Sequence, residues 1–240
     1  MKTVILCKCA YWHRIPEDVW KRVLAAVKGR GVELAIVEDL CQRAAVRDPS
    51  ITSLAGKEDV TVVACYPRAV KWLLHWAGAL PESGNLTVLN MRTEPAEDIV
   101  KSLPGMAGAG ENVDISASAP EPEGEMRWFP VVDYSRCRNC KECMSFCPFG
   151  AYTLNEEGRV RLTYPQNCKD DCPACARLCP SAAIMFPKIN DAPTNGAEVP
   201  EDEIERRKAA SVKEQLKCGN IHSILAQRRK RARKRKLASE

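Results

Sequence analysis

The first 103 residues predict an α/β fold with a mostly parallel sheet, residues 128–188 a small cysteine-dense α+β module, and residues 189–240 a charged helical extension. Three observations carry this. Short buried-type apolar runs alternate with helical patterns up to residue 103, eight cysteines fall between Cys137 and Cys179, and eight Lys and Arg residues crowd into 228–236.

Thr3 to Leu6, Val32 to Val37, Val60 to Ala64 and Leu86 to Asn90 are short, rich in Val, Ile and Leu, and bounded by turn or helix signals, as strands covered on both faces are. Between the first two, Pro16 to Lys28 opens with proline and the acids Glu17 and Asp18. It places Val19, Val23, Leu24 and Val27 on one face and stops before Gly29. Pro67 to Ala79 repeats the pattern. This βαβαβ order implies parallel strands with helices on both faces. Residues 104–127 lose periodicity and are rich in Gly, Ala, Pro, Ser and Glu, which predicts a linker. After the cysteine-dense region, Ile189 to Pro200 is expected to be a polar connector. Glu201 to Cys218 is a charged helical pattern stopped by Gly219, and Ile221 to Leu237 a further short helix containing the basic run.

No run of 18 apolar residues occurs, and the opening MKTVILCKCAYWHR has too short an apolar stretch and no small-residue cleavage site for a signal peptide. A soluble, cytoplasmic protein without a membrane span is therefore expected. In that reducing setting an odd total of 13 cysteines at tight spacings points to metal rather than disulfides. The basic run, Arg228 to Lys236, carries more positive charge than the net +5 of the chain, so the remainder is net acidic and the basic character belongs to the tail.

Cys137 to Pro148 reads CRNCKECMSFCP, or C-x-x-C-x-x-C-x-x-x-C-P. Three close thiolates wrap one cubane cluster while the fourth points to a second. Cys168 to Pro180 reads CKDDCPACARLCP, and CPFGA at Cys147 aligns with CPSAA at Cys179 as an internal repeat. Crossed ligation follows: Cys137, Cys140, Cys143 and Cys179 hold one [4Fe-4S] cluster, and Cys147, Cys168, Cys172 and Cys175 the other. Two tetrahedral zinc sites are the alternative, but zinc does not require the C-x-x-x-C-P ending twice. With all eight ligand positions filled over about sixty residues, this region resembles the bacterial two-cluster ferredoxin family. The resemblance implies a ferredoxin-like dicluster domain of βαββαβ type with pseudo-twofold symmetry and one-electron chemistry. The chain departs from that family in the three residues between Cys168 and Cys172, two of them Asp170 and Asp171, and in a hairpin expected over Thr153 to Tyr164.

Cys7 and Cys9 follow the first predicted strand, Cys41 the second, and Cys65 closes the third, so a parallel sheet gathers them at its carboxyl edge, where open α/β folds bind ligands. Four small buried hydrophobes at strand ends are the plainer reading. ILCKCA at Ile5, DLC at Asp39 and VVACYPRA at Val62 resemble the amino-terminal region of the heterodisulfide reductase A subunit family and, more distantly, the delta subunit of methyl-viologen-reducing hydrogenase. This resemblance implies a third iron-sulfur cluster held by Cys7, Cys9, Cys41 and Cys65. No G-x-G-x-x-G run is present, so the flavin-binding part of the reductase subunit has no counterpart. His13 and His75 are expected to be packed residues, and Trp12, Trp20, Trp72 and Trp76 to cover helix and sheet. Arg68 is expected to be a solvated surface residue, the alternative being a cation beside the Cys65 region.

These readings add up to electron transfer through two [4Fe-4S] clusters. The chain would act as a soluble carrier or as the electron-transfer subunit of a heterodisulfide-reductase-like or hydrogenase-like complex, with redox proteins as partners. Two alternatives stand beside it: a redox enzyme with thiol or cluster chemistry at the amino-terminal cysteines, and an iron-sulfur protein that binds nucleic acid by its basic tail. The sequence offers no acid/base constellation for the first. For the second it offers no aromatic residues interleaved with the basic run, so nucleic acid is not an expected partner.

Overall fold

Strand β1 (Thr3–Cys7) is buried at all five residues, and β3 (Asp59–Ala64) at all but its first, because both lie inside a parallel sheet covered on two faces. The computed structural model describes residues 2–81, 85–106, 108–115, 128–207 and 209. With β2 (Glu33–Val37), β4 (Asn85–Asn90) and β5 (Val113–Asp114) these strands form one five-stranded sheet in the order β4-β3-β1-β2-β5, every pair parallel. In register, Thr3 pairs with Glu33 on one side and with Val60 on the other.

The crossover helices are α1 (Glu17–Val27), the short pair α2 (Leu40–Ala45) and α3 (Pro49–Thr52), α4 (Pro67–Ala77), and α5 (Ala96–Ser102). From β1 the chain moves outward to β2, and from β3 it moves outward the other way to β4. Right-handed crossovers therefore place α1 and α4 on opposite faces. The packing agrees, since α1 lies against α5 while α4 lies against α2 and α3. Strand order reverses between β1 and β3, the position where open α/β sheets leave a crevice.

In the cysteine-dense region the elements follow as β6 (Val131–Val132), α6 (Glu142–Phe146), β7 (Tyr152–Leu154), β8 (Val160–Leu162), α7 (Ala174–Leu178) and β9 (Ile184–Met185). β6 pairs antiparallel with β9, and β7 with β8 through a turn in which Gly158 donates to Asn155 at 2.9 Å. Residues 1–199 make one compact unit, and one apolar core runs through it from Ile5 and Leu73 to Trp128 and Phe186. Residues 200–240 make another, in which 201–207 are helical with Arg207 bonded to Glu203 at 2.7 Å, one turn apart. The expected helix over Ile221 to Leu237, Cys218 and the basic run lie outside the described residues.

Two stretches expected to be connectors carry ordered contacts. Within the predicted linker, β5 pairs with β2 because Asn112 accepts from the Arg30 and Val32 amides and donates to Val27, while the Arg30 guanidinium binds the carbonyls of Val100 and Leu103. Residues 189–199 form a strap rather than a free polar connector. Thr194 and Asn195 are buried, Phe186 donates to the Thr194 carbonyl, and Gly196 lies directly on Ala69 of α4.

At Gly196, φ is +101° and a Cβ would stand 2.5 Å from that of Ala69. Gly196→Ala is therefore expected to cost roughly 3 kcal/mol, through left-handed strain and overpacking together. Gly29→Ala, at φ +73° with no atom near its Cβ, is expected to cost about 1 kcal/mol. Thermal or denaturant unfolding of the two variants measures the difference.

Candidate metal centres

β1 ends at Cys7, and the chain turns out of the sheet through Cys9, whose φ of +53° redirects it. Cys41 sits in the first turn of α2, held there by the Asp39 carboxylate, which caps the helix by accepting from Gln42 at 3.1 Å. Cys65 lies between β3 and α4. The three strand ends are neighbours at the switch point, so Cys7, Cys9, Cys41 and Cys65 all line one cavity, partly open to solvent. Burial pushes the thiols of Cys7 and Cys41 well up and that of Cys65 to about 11. Leu40 donates its amide to the Cys7 sulfur at 3.4 Å.

The cavity is closed by the other end of the compact unit. Pro187 and Lys188 line it, and the Lys188 ammonium, only 4% exposed, donates to the Cys9 sulfur at 3.6 Å and pairs with Asp39. Burial works against that charge, but Cys41, Asp39, Cys9 and Cys7 together hold the lysine pKa upward. A unit charge about 4 Å from a thiolate, at an effective dielectric of about 20, is worth on the order of 4 kcal/mol. Next to this site Trp12 packs on Trp128 and Trp128 stacks on Phe186, at centroid distances of 5.4 and 5.2 Å. The buried Trp128 indole N–H, in a cavity shared with Cys41, has no hydrogen-bond partner.

The eight remaining cysteines considered above fall into two groups. Cys137, Cys140, Cys143 and Cys179 line a second cavity, with Tyr152 and Val160 in its wall. Lys141 and Asn139 adopt positive φ, which lets the loop from Cys137 coil around that space before α6 begins. Cys147, Cys168, Cys172 and Cys175 form the other group. Burial raises Cys168 and Cys175 to about 12; the other three sulfurs push Cys168 up further, and Cys147 and Cys172 do the same for Cys175, whose bond from Tyr152 works the other way. Cys143 is likewise raised to about 12, first by burial, then by sulfurs that include Cys175 of the other group, so the two groups are adjacent. Thiols this basic stay protonated at neutral pH unless a bound metal displaces the proton.

Hydrogen bonds reach the sulfurs from outside: Tyr152 donates its hydroxyl to Cys175 at 3.2 Å, and Ala183 its amide to Cys179 at 3.3 Å. Among the described residues no three His, Cys, Asp or Glu side chains close on a single ion position. Zinc asks four thiolates to meet at a point, whereas a cubane takes each on a separate iron around its faces. All-thiolate sets walling a cavity, as two of these three quartets do, suit the cubane.

Sequence reasoning missed the residues that join the halves. Arg68, expected at the solvated surface, is largely covered, its side chain 9% exposed. Its guanidinium donates at 2.8 Å to the carbonyls of Ala182 and Pro193 and lies 3.8 Å from Asp133, because the docked segment covers the start of α4. Arg92 donates to Pro187 and Ile189, and Arg14 to the carbonyl of Lys188 at 2.6 Å. Lys188 gave no signal at all, being a single lysine at the very end of the cysteine-dense module. His75 packs on Trp72 and Tyr134, as a packed histidine does.

The cysteine-dense segment is similar to known iron-sulfur proteins. A family model described as a 4Fe-4S dicluster domain matches residues 129–180. An uncharacterized ferredoxin of Methanocaldococcus jannaschii is 45% identical over 64 residues, which are 26% of this chain and 43% of that protein. A ferredoxin of Pyrobaculum islandicum is 41% identical over 54 residues, 22% of this chain and 49% of its own length. The pyruvate synthase subunit PorD of Methanocaldococcus jannaschii is 39% identical over 62 residues, 25% of this chain and 70% of that subunit. The chain thus spans a little under half the length of the two ferredoxins. No helix among the described residues is long and apolar enough to cross a membrane.

A hydrogen bond to a ligand sulfur stabilises the more negative, reduced state. Tyr152→Phe removes one and keeps the ring, so it is expected to leave the iron content unchanged and to lower the midpoint potential of one cluster. Redox titration followed by electron paramagnetic resonance reads both.

Proposed function

We propose that this chain, which belongs to the 4Fe-4S dicluster family through residues 129–180, transfers electrons through two [4Fe-4S] clusters, one on Cys137, Cys140, Cys143 and Cys179, the other on Cys147, Cys168, Cys172 and Cys175. The observation that carries the reading is the sorting of eight cysteines into two adjacent quartets, each completed by one cysteine from the opposite half of the repeat. A bound cubane supplies reversible one-electron chemistry without proton transfer. The chain's part is to hold thiolates, exclude water and aim N–H and O–H dipoles at sulfur.

A third cluster on Cys7, Cys9, Cys41 and Cys65 extends the reading. Its support is the shared cavity at the carboxyl edge of the sheet, the all-thiolate donor set, and the unpartnered Trp128 indole next to it. The quartets are also bridged: Arg68, three residues after Cys65, donates to Ala182, and the next amide, Ala183, donates to Cys179. Such a chain of bonds suits passage of electrons between the amino-terminal site and the first dicluster site. The relatives include one subunit of a pyruvate synthase and one of a sulfite dehydrogenase. They favour a place for this chain as the electron-transfer subunit of a larger redox complex, in keeping with the resemblance of its amino-terminal segments to a heterodisulfide reductase subunit.

Anaerobically purified full-length chain is expected to contain about twelve iron and about twelve acid-labile sulfur atoms and no stoichiometric zinc. Cys140→Ala should lose roughly a third of that iron and Cys41→Ser another third, each with its own spectral component. Zinc without sulfide in the wild-type chain would falsify the assignment. Because thiolate ligation also holds the small βαββαβ region together, stripping the metal with chelator and oxidant is expected to abolish its cooperative unfolding transition in calorimetry.

A further inference from the structure

Lys188 is the residue whose burial is hardest to explain by folding alone. Removing an ammonium from water costs several kcal/mol, and a buried ion pair rarely stabilises more than a well-packed apolar side chain would. Asp39 does not need the lysine as its sole partner, since it already caps α2 through Gln42. What an apolar side chain could not supply is positive charge among four sulfurs. Lys188 Nζ is 3.6 Å from Cys9, and the lysine lines the same cavity as Cys7, Cys41 and Cys65. Its charge also acts to lower the thiol pKa of each of those three. Arg14 also lines the cavity and the charge of Arg92 reaches Cys65, but Arg14 donates to a backbone carbonyl and Arg92 to two, whereas Lys188 donates to a sulfur. Asp39 is the one carboxylate bonded to Lys188 among the described contacts.

We propose that Lys188 is a positioning residue that sets the reduction potential of the amino-terminal cluster, and that the Asp39 paired with it is the opposing charge that trims this effect. This rests on the reading of Cys7, Cys9, Cys41 and Cys65 as a cluster site. Reduction adds one electron and no bond, so the reduced site is more negative by one charge, and a fixed cation buried beside the sulfurs favours that state. The dicluster quartets have no buried lysine of their own among the described residues, so the effect is specific to one site. Since Lys188 follows the last cysteine of the dicluster segment, the amino-terminal site takes its electrostatic character from the opposite end of the compact unit.

Mediated redox titration of the full-length chain, followed by electron paramagnetic resonance with parallel iron and sulfide analysis, tests this. In Lys188→Met the amino-terminal signal is expected to move to lower potential while the two dicluster signals stay in place and iron remains at about twelve atoms per chain. In Asp39→Asn, which keeps the cap on α2, the same signal is expected to move to higher potential. Opposite shifts from the two variants separate charge from packing, because a merely structural defect would broaden or lose the signal in both. Full iron with unmoved potentials in both variants would overturn the proposal and leave the cluster reading standing. A wild-type chain with only about eight iron atoms would overturn both. If Lys188→Met loses the amino-terminal cluster, Asp39→Asn decides: an upward shift supports the proposal and an unmoved potential refutes it.

Discussion

The buried ion pair between Lys188 and Asp39 constrains the rest of the compact unit. A lysine removed from water needs an anion at contact distance, and Asp39 is fixed at the carboxyl end of β2 by its bond to the α2 amide. Residue 188 must therefore lie on the carboxyl edge of the sheet, which seats β9 and, through its pairing with Val131 and Val132, β6 as well. Arg14, Arg68 and Arg92 then hold the surrounding chain by its backbone carbonyls. Such bonds depend on where the main chain runs rather than on which side chains it carries, so the strap over residues 189–199 can be polar and still be firmly seated.

How much of this was legible in the sequence follows from the range of the forces involved. The four long strands could be read to within a residue or two because strands covered on both faces leave near-continuous runs of Val, Ile and Leu. The same holds for α1 and α4, whose apolar residues recur at helical spacing and whose first turns begin at proline. Helices α2, α3 and α5 were missed because four to seven residues are too few to show a period. Strand β5 was missed because its pairing rests on Asn112, a polar residue in a stretch whose composition suggests a linker, and on Arg30 ahead of β2. The strap was misjudged for a similar reason: composition reports what a segment can bury by itself, and this one is ordered by arginines from elsewhere.

The candidate sites divide in the same way. The dicluster cysteines could be read from spacing, since a cubane is wrapped by a few residues and its geometry is written locally. The gathering of Cys7, Cys9, Cys41 and Cys65 could be anticipated one step less directly, from strand order and handedness, and the shared cavity places all four at one edge. Lys188 could not, because 149 residues separate it from Asp39 and 179 from Cys9. Arg68 was misjudged because exposure was assigned from its own helix, without the segment that covers it.

The closure of the amino-terminal cavity by Pro187 and Lys188 has a consequence in time. Synthesis delivers Cys7 and Cys9 first and the lysine that seals them about 180 residues later, which at roughly 5–20 residues per second is an interval of about 10–40 s. In the later half of that interval, once β4 has been made, the sheet can form from β1 to β4 with its carboxyl edge uncovered and its thiols accessible to metals and oxidants alike. The order of residues along the chain thus leaves this edge accessible during synthesis until Pro187 and Lys188 arrive.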